Sequence, residues 1–129
     1  MQKDKINILI VDDSEFSRRT MAQILTQDGY SVVGAVGNAK DAINTISTHH
    51  CHILIIDVVM PDMNGIELAE RLMEKFTNIY VIIVSSLAME HIVIESIAAG
   101  AGDFIQKPFE KEALLDSVGR ISKQISNES

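Results

Sequence analysis

Apolar residues gather in five short runs: "INILIV" (6–11), "SVVGAV" (31–36), "HILIID" (52–57), "YVIIVS" (80–85) and "DFIQK" (103–107). The first, third and fourth are continuously apolar rather than alternating, as expected of strands covered on both faces of a parallel sheet. The stretches between them carry the spacing of amphipathic helices. Ser14 suits an N-cap, followed by Phe16, Thr20, Met21, Ile24 and Leu25 on one predicted face, and Gly29 suits the cap at the far end. Asn38 precedes Ala39, Ala42, Ile43 and Ile46, and Asn64-Gly65 precedes Leu68, Ala69, Leu72, Met73 and Phe76. Met89 to Ala99 forms a fourth helical stretch. Leu114, Val118, Ile121 and Ile125 mark the fifth at steps of four, three and four.

Strand and helix thus alternate five times in 129 residues, without linker, repeat or low-complexity segment. Right-handed crossovers turn this alternation into an α/β fold, a parallel sheet with helices on both faces. The expected organisation is one domain over 1–129, with a core from about 5 to 125 and a polar tail over 122–129, "SKQISNES". In such sheets ligands bind beyond the carboxyl ends of the strands, where the strand order switches.

The composition, 47% hydrophobic and 22% charged, fits a globular domain. A single cysteine, Cys51, allows no internal disulfide and points to the cytoplasm. No apolar run approaches the ~20 residues of a membrane span, and the first is too short for a secretory signal. A net charge of −7 without a basic tract argues against direct nucleic-acid binding.

The strand ends carry the chemistry: Asp12 and Asp13, then Asp57, then Ser85 and Ser86, then Lys107-Pro108. In a parallel sheet these converge on one edge. Like charges ~4 Å apart at an effective dielectric near ~20 repel by about 4 kcal/mol per pair, so a proton or a cation must intervene. Lys107 against three carboxylates leaves −2, and an all-oxygen site of that charge suits Mg²⁺. The competing reading is that the adjacent acids cap a helix N-terminus; the recurrence of Asp57 and Lys107 at matching positions favours the metal.

"LIVDDS", "LIIDVVMPDMNGIEL", "VIIVSS" and "AGAGDFIQKPF" closely resemble the receiver domain of bacterial two-component response regulators, over roughly residues 5 to 125. The intervals agree as well, with 28 residues from Asp57 to Ser85 and 22 from Ser85 to Lys107. The resemblance implies the flavodoxin/CheY-like doubly wound fold, five parallel strands in the order 2-1-3-4-5. It implies that Asp57 is a phosphoacceptor, and that Asp12, Asp13, Asp57 and the backbone carbonyl of Val59 hold Mg²⁺, for which Mn²⁺ can substitute. Ser85 would meet a phosphoryl oxygen, Lys107 would pair with the phosphoryl group, and Phe104 would be the switch aromatic. The implied partners are a sensor histidine kinase or phosphotransfer protein and a downstream protein target or output domain. The implied role is a cytoplasmic signalling protein rather than an enzyme, monomeric or dimerising on phosphorylation.

Two departures carry expectations of their own. Val59 and Leu87, each two residues beyond a site residue, place apolar side chains beside the path of a hydrolytic water and predict a long-lived phosphoprotein. The fourth helix sets Ile92, Val93, Ile94 and Ile97 around most of its circumference. Either one stripe is core and the rest scattered surface, or Ile92, Ile94 and Phe104 form an apolar output surface.

Other signals are set aside. His49, His50, Cys51 and His52 read as a solvated loop, since adjacent residues rarely converge on one ion. His91 reads as surface; Met21, Met60, Met73 and Met89 as core or edge filler; and Asp62 as part of a helix-start loop rather than a metal ligand. A haloacid-dehalogenase-type aspartate phosphatase would need an acid where Val59 stands. A flavin-binding domain would need a phosphate loop and more aromatics than 5%. Within signalling, a stand-alone chemotaxis-type regulator competes with a receiver cut from a longer, for example DNA-binding, regulator.

Overall fold

The computed structural model describes residues 1–87 and 89–128. After a 3-10 turn at Lys3–Lys5, the elements in chain order are β1 (Asn7–Val11), α1 (Glu15–Gln27), β2 (Ser31–Val36), α2 (Ala39–Thr48) and β3 (Ile53–Asp57). They continue with α3 (Gly65–Lys75), β4 (Tyr80–Ser85), α4 (Glu90–Ala98), β5 (Asp103–Gln106) and α5 (Lys111–Glu128). The strands form one parallel sheet in the order β2-β1-β3-β4-β5, the 2-1-3-4-5 arrangement anticipated from the sequence.

Burial explains why three strands read as unbroken apolar runs. Leu9, Val11, Leu54, Ile56, Val81 and Ile83 face a core shared with α2 and α3. The alternate residues Ile8, Ile10, Ile53, Ile55, Ile82 and Val84 face a second core with α1 and α5, built on Met21, Leu25, Leu114, Val118 and Ile121. Each fully buried Ile or Leu contributes about 1.5–3 kcal/mol relative to exposure. β2, at the edge, is only half-buried, and its pairing with β1 steps from Ile8–Val32 to Leu9–Gly34, skipping Val33.

Side-chain caps fix where the first three helices begin. Ser14 Oγ accepts from the Ser17 amide at 3.2 Å, Asn38 Oδ1 from Asp41 at 2.8 Å, and Asn64 Oδ1 from Ile66 at 2.7 Å. Gly29 follows α1 at φ +100°, the left-handed turn glycine adopts most cheaply.

Three expectations need correction. Phe16 does not lie on the buried face of α1 but is 79% exposed; it shares an outer flank with Thr20 and Ile24, one turn apart each, while Met21 and Leu25 face inward. Of the segment read as a polar tail over 122–129, residues 122–128 form the last turns of α5, anchored by the buried Ile125, and Ser129 lies outside the described residues. The segment at 49–52 is solvated only at its start: His49 and His50 are exposed, Cys51 is buried, and His52 Nδ1 accepts the Asn7 amide at 3.0 Å, joining the entries to β1 and β3. In α4 only Ser96 is buried; Ile92 rests partly on the core, and Ile94 and Ile97 face solvent. Among the described residues, no helix is long and apolar enough to cross a membrane.

Candidate functional site

The order switch falls between β1 and β3, and the acids stand there. Asp12 follows β1 and is fully buried. Its amide donates to Val36 O at 2.9 Å, its carbonyl accepts from Arg18 Nη1 at 2.8 Å, and its Oδ1 accepts the Ser14 amide at 2.9 Å. Asp13 is exposed and Asp57, the last residue of β3, is buried. Carboxylate oxygens of all three lie within 4.8 Å of one another.

Lys107 enters from the far side of the sheet. Its amide donates to Ser85 O at 2.9 Å, continuing the β4–β5 ladder, and its Nζ bonds Asp12 Oδ2 at 2.5 Å and Asp57 Oδ2 at 3.2 Å. Burial raises the Asp57 pKa; Lys107 opposes that rise and the neighbouring Asp12 charge adds to it. For Lys107 burial alone lowers the pKa, but the hydrogen bond and charge of Asp12, together with Asp57, outweigh it and hold the ammonium above its ordinary value. One ammonium among three carboxylates leaves two negative charges uncompensated.

The donor set fits a hard divalent cation: carboxylate oxygens converge from two strands, and exposed Asp13 keeps the cluster open to solvent for retained waters. A soft or nitrogen-seeking metal would find neither thiolate nor imidazole in this cluster.

Ser85 is fully buried, one residue beyond the level of Asp57, which pairs with Val84. Its Oγ accepts the Leu87 amide at 3.0 Å, leaving the hydroxyl proton to donate elsewhere. The Val59 amide stands 3.3 Å from Asp57 Oδ1, while the Val59 side chain is half-exposed. Phe104 lies beside Ile83 in the sheet and is partly buried against the core. Asp62 caps α2 from a distance, accepting the Ala39 amide at 2.9 Å and the Lys40 amide at 3.2 Å, and is no part of the acidic cluster.

Two further side chains stand at the site. Arg18 braces the Asp12 backbone through the space left by Gly37, where a Cβ would meet its Nη1 at 2.9 Å. Phe16 lines an apolar cleft of about 290 Å³ with Ile24, Lys107 and Phe109, at the margin of the acidic site. Arg18 carries no signal in the sequence; Phe16, four residues beyond Asp12, is visible there, but its spacing sets it on one face with Met21 and Leu25 rather than at the site.

The site thus joins an aspartate at the central strand end, two acids from the neighbouring strand and a lysine from the edge strand on a doubly wound α/β domain. The sequence model described as "Response regulator receiver domain" matches residues 8–119. The chain is 36% identical over 116 residues to Chemotaxis protein CheY of Thermotoga maritima, covering 90% of this chain and 97% of that protein. Identity to Chemotaxis protein CheY of Bacillus subtilis is 33% over 113 residues, covering 88% and 94%. The structure of the CheX-CheY-BeF3-Mg²⁺ complex from Borrelia burgdorferi superposes with a TM-score of 0.85 at 32% identity, covering 90% and 88%. The chain belongs to the response regulator receiver domain family.

Proposed function

We propose that the protein is a CheY-like receiver that takes a phosphoryl group onto Asp57 from a phosphohistidine of a sensor histidine kinase or phosphotransfer protein. One observation carries this reading: Asp57 lies within reach of both Asp12 and Asp13 and is bonded by Lys107, residues far apart in the chain that the sheet brings together.

Asp12, Asp13, Asp57 and the Val59 carbonyl are the residues that would hold Mg²⁺, or Mn²⁺ in its place. Bound there, the ion supplies positive charge to the phosphoryl oxygens. An Asp57 carboxylate oxygen forms the new bond to phosphorus as the bond from phosphorus to the donor nitrogen breaks. Lys107, already bonded to Asp57, follows the charge to a phosphoryl oxygen. The Val59 amide orients the acceptor, and the Ser85 hydroxyl, with its proton unclaimed by Leu87, donates to the incoming group. The phosphoryl group replaces one negative charge by nearly two. That change draws Ser85 inward, gives Phe104 room to turn, and biases a partner-binding surface. The output surface we assign to Ile92, Ile94 and Phe104, on the α4–β5 side. The partner there is a downstream protein or a second copy of the chain.

The similarity to chemotaxis CheY proteins favours a regulator that acts through protein contact. Val59 stands where an aspartate phosphatase would need its general acid, so turnover of an external substrate is disfavoured. A cytoplasmic setting accords with the lone buried cysteine.

The test is to incubate the protein with Mg²⁺ and acetyl phosphate and to weigh intact wild type and Asp57→Asn. One phosphoryl adduct on wild type and none on the variant is expected. An adduct on both, or on neither, overturns the assignment.

A further inference from the structure

α3 starts almost in contact with the reacting residue. The Gly65 amide, in the first turn, donates to Val58 O at 2.8 Å. A Cβ on Gly65 would overlap the Asp57 carbonyl oxygen and stand 2.8 Å from the Asp57 carbonyl carbon and 3.0 Å from Val58 Cα. Every one of these atoms is backbone. None is the yielding tip of a side chain, and Asp57 is paired with Val84 at the end of a strand whose five residues are all buried. A side chain at 65 therefore has to push α3 away or move the Asp57 backbone.

The peptide geometry gives this contact a chemical consequence. Val58 C=O and Val59 N–H belong to one planar trans unit and point in opposite directions. Holding the carbonyl on Gly65 fixes the direction of the amide, and that amide lies 3.3 Å from Asp57 Oδ1. We propose that Gly65 is a positioning residue for Asp57: its amide clamps the Val58–Val59 peptide, and its missing side chain lets the clamp close. The role rests on Asp57 being the phosphoacceptor, since the aimed amide serves as a preset donor to the carboxylate oxygen and to the charge that develops there.

Gly65→Ala is compared with wild type and with Asn64→Ala, which removes the α3 cap without approaching Asp57. Phosphorylation by acetyl phosphate in Mg²⁺, the melting temperature and the Val59 amide resonance are measured for each. Gly65→Ala is expected to slow phosphorylation about 10- to 100-fold and to displace the Val59 resonance. Asn64→Ala is expected to lower the melting temperature while keeping the rate within about twofold. Should both variants slow equally, or Gly65→Ala react at the wild-type rate, the positioning role is wrong. In case Gly65→Ala does not fold, wild type gives the second measurement: a through-hydrogen-bond coupling between Gly65 N and the Val58 carbonyl carbon, and a Val59 amide shift that changes in Asp57→Asn. Absence of either overturns the proposal. A wild type that gains no adduct overturns the phosphoacceptor reading and this role together; one that gains it with Gly65→Ala equally fast overturns the role alone.

Discussion

Helices α3 and α4 rest on the same core, yet they are attached very differently. α3 buries Gly65, Ile66, Leu68, Ala69 and Leu72 and is capped by Asn64; α4 buries only Ser96, and its N-cap residue, Met89, makes no side-chain hydrogen bond. α4 is nevertheless the more apolar of the two, with Ile94 at 59% and Ile97 at 51% exposure. Apolar content and anchoring have been separated. A helix is held by apolar side chains on one face, and α4 spreads its own around the cylinder. A weakly held element with apolar surface, beside Phe104, has the properties expected of a region that shifts between states.

The comparison breaks most readily on stability. Leu72→Ala in α3 is expected to cost about 2–5 kcal/mol in urea unfolding, whereas Ile94→Ala in α4 should stay within about 0.5 kcal/mol. Comparable losses would mean that α4 is anchored after all. The loops entering the two helices give the next effect. Val59 precedes α3 and Leu87 precedes α4, both apolar and in part exposed. Once Asp57 is phosphorylated, Val59→Asn should shorten the phosphoryl half-life several-fold, on the order of 1 kcal/mol in barrier; an unchanged or longer half-life refutes the apolar screen.

Capping sharpens the contrast further. Asn64→Ala should remove about 1 kcal/mol, and Met89→Ser, which offers α4 the acceptor it lacks, should add about 0.5 kcal/mol or more and slow amide exchange in that helix. A Met89→Ser protein with unchanged exchange would argue that something other than the missing cap keeps α4 loose.

The smallest effect concerns acid. Asp103 opens β5, next in the chain after α4. Burial raises its pKa, but the nearby Ser117 hydroxyl, the Arg120 guanidinium at 2.8 Å and the Phe104 amide at 2.8 Å outweigh burial and leave it below the ordinary carboxylate value. An acid with a lowered folded pKa stabilises fully above its unfolded value of about 3.9 and loses that contribution as pH falls through the lowered one. Wild type should therefore exceed Asp103→Asn by less than about 1 kcal/mol at neutral pH, with the two urea midpoints converging as pH falls below about 4. A gap that persists in strong acid would assign the effect to packing instead.

What the sequence disclosed follows from how each contact is made. β1, β3 and β4 were legible because burial on both faces leaves almost no polar position inside them, and their ends were legible because polar residues, Asp12, Asp57 and Ser85, stop the apolar runs. The three caps were legible because capping is local. Phe16 misled because an i, i+4 series fits either flank of a helix, and only the packed sheet decides which flank is covered. Cys51 and His52 misled because their partners lie across the sheet, at Asn7 and in the core below. Arg18 and Gly65 gave no sign because what matters for each is the backbone it meets, and backbone contacts leave no mark on side-chain patterning.

The complete enclosure of β3 has a mechanical meaning. The carboxylate at its tip is mounted on a strand packed on both faces along its whole length, so a displacement imposed there meets close-packed neighbours beneath it. Displacement has to travel sideways, toward whichever neighbour is most compliant, and that gives the domain a direction in which to report.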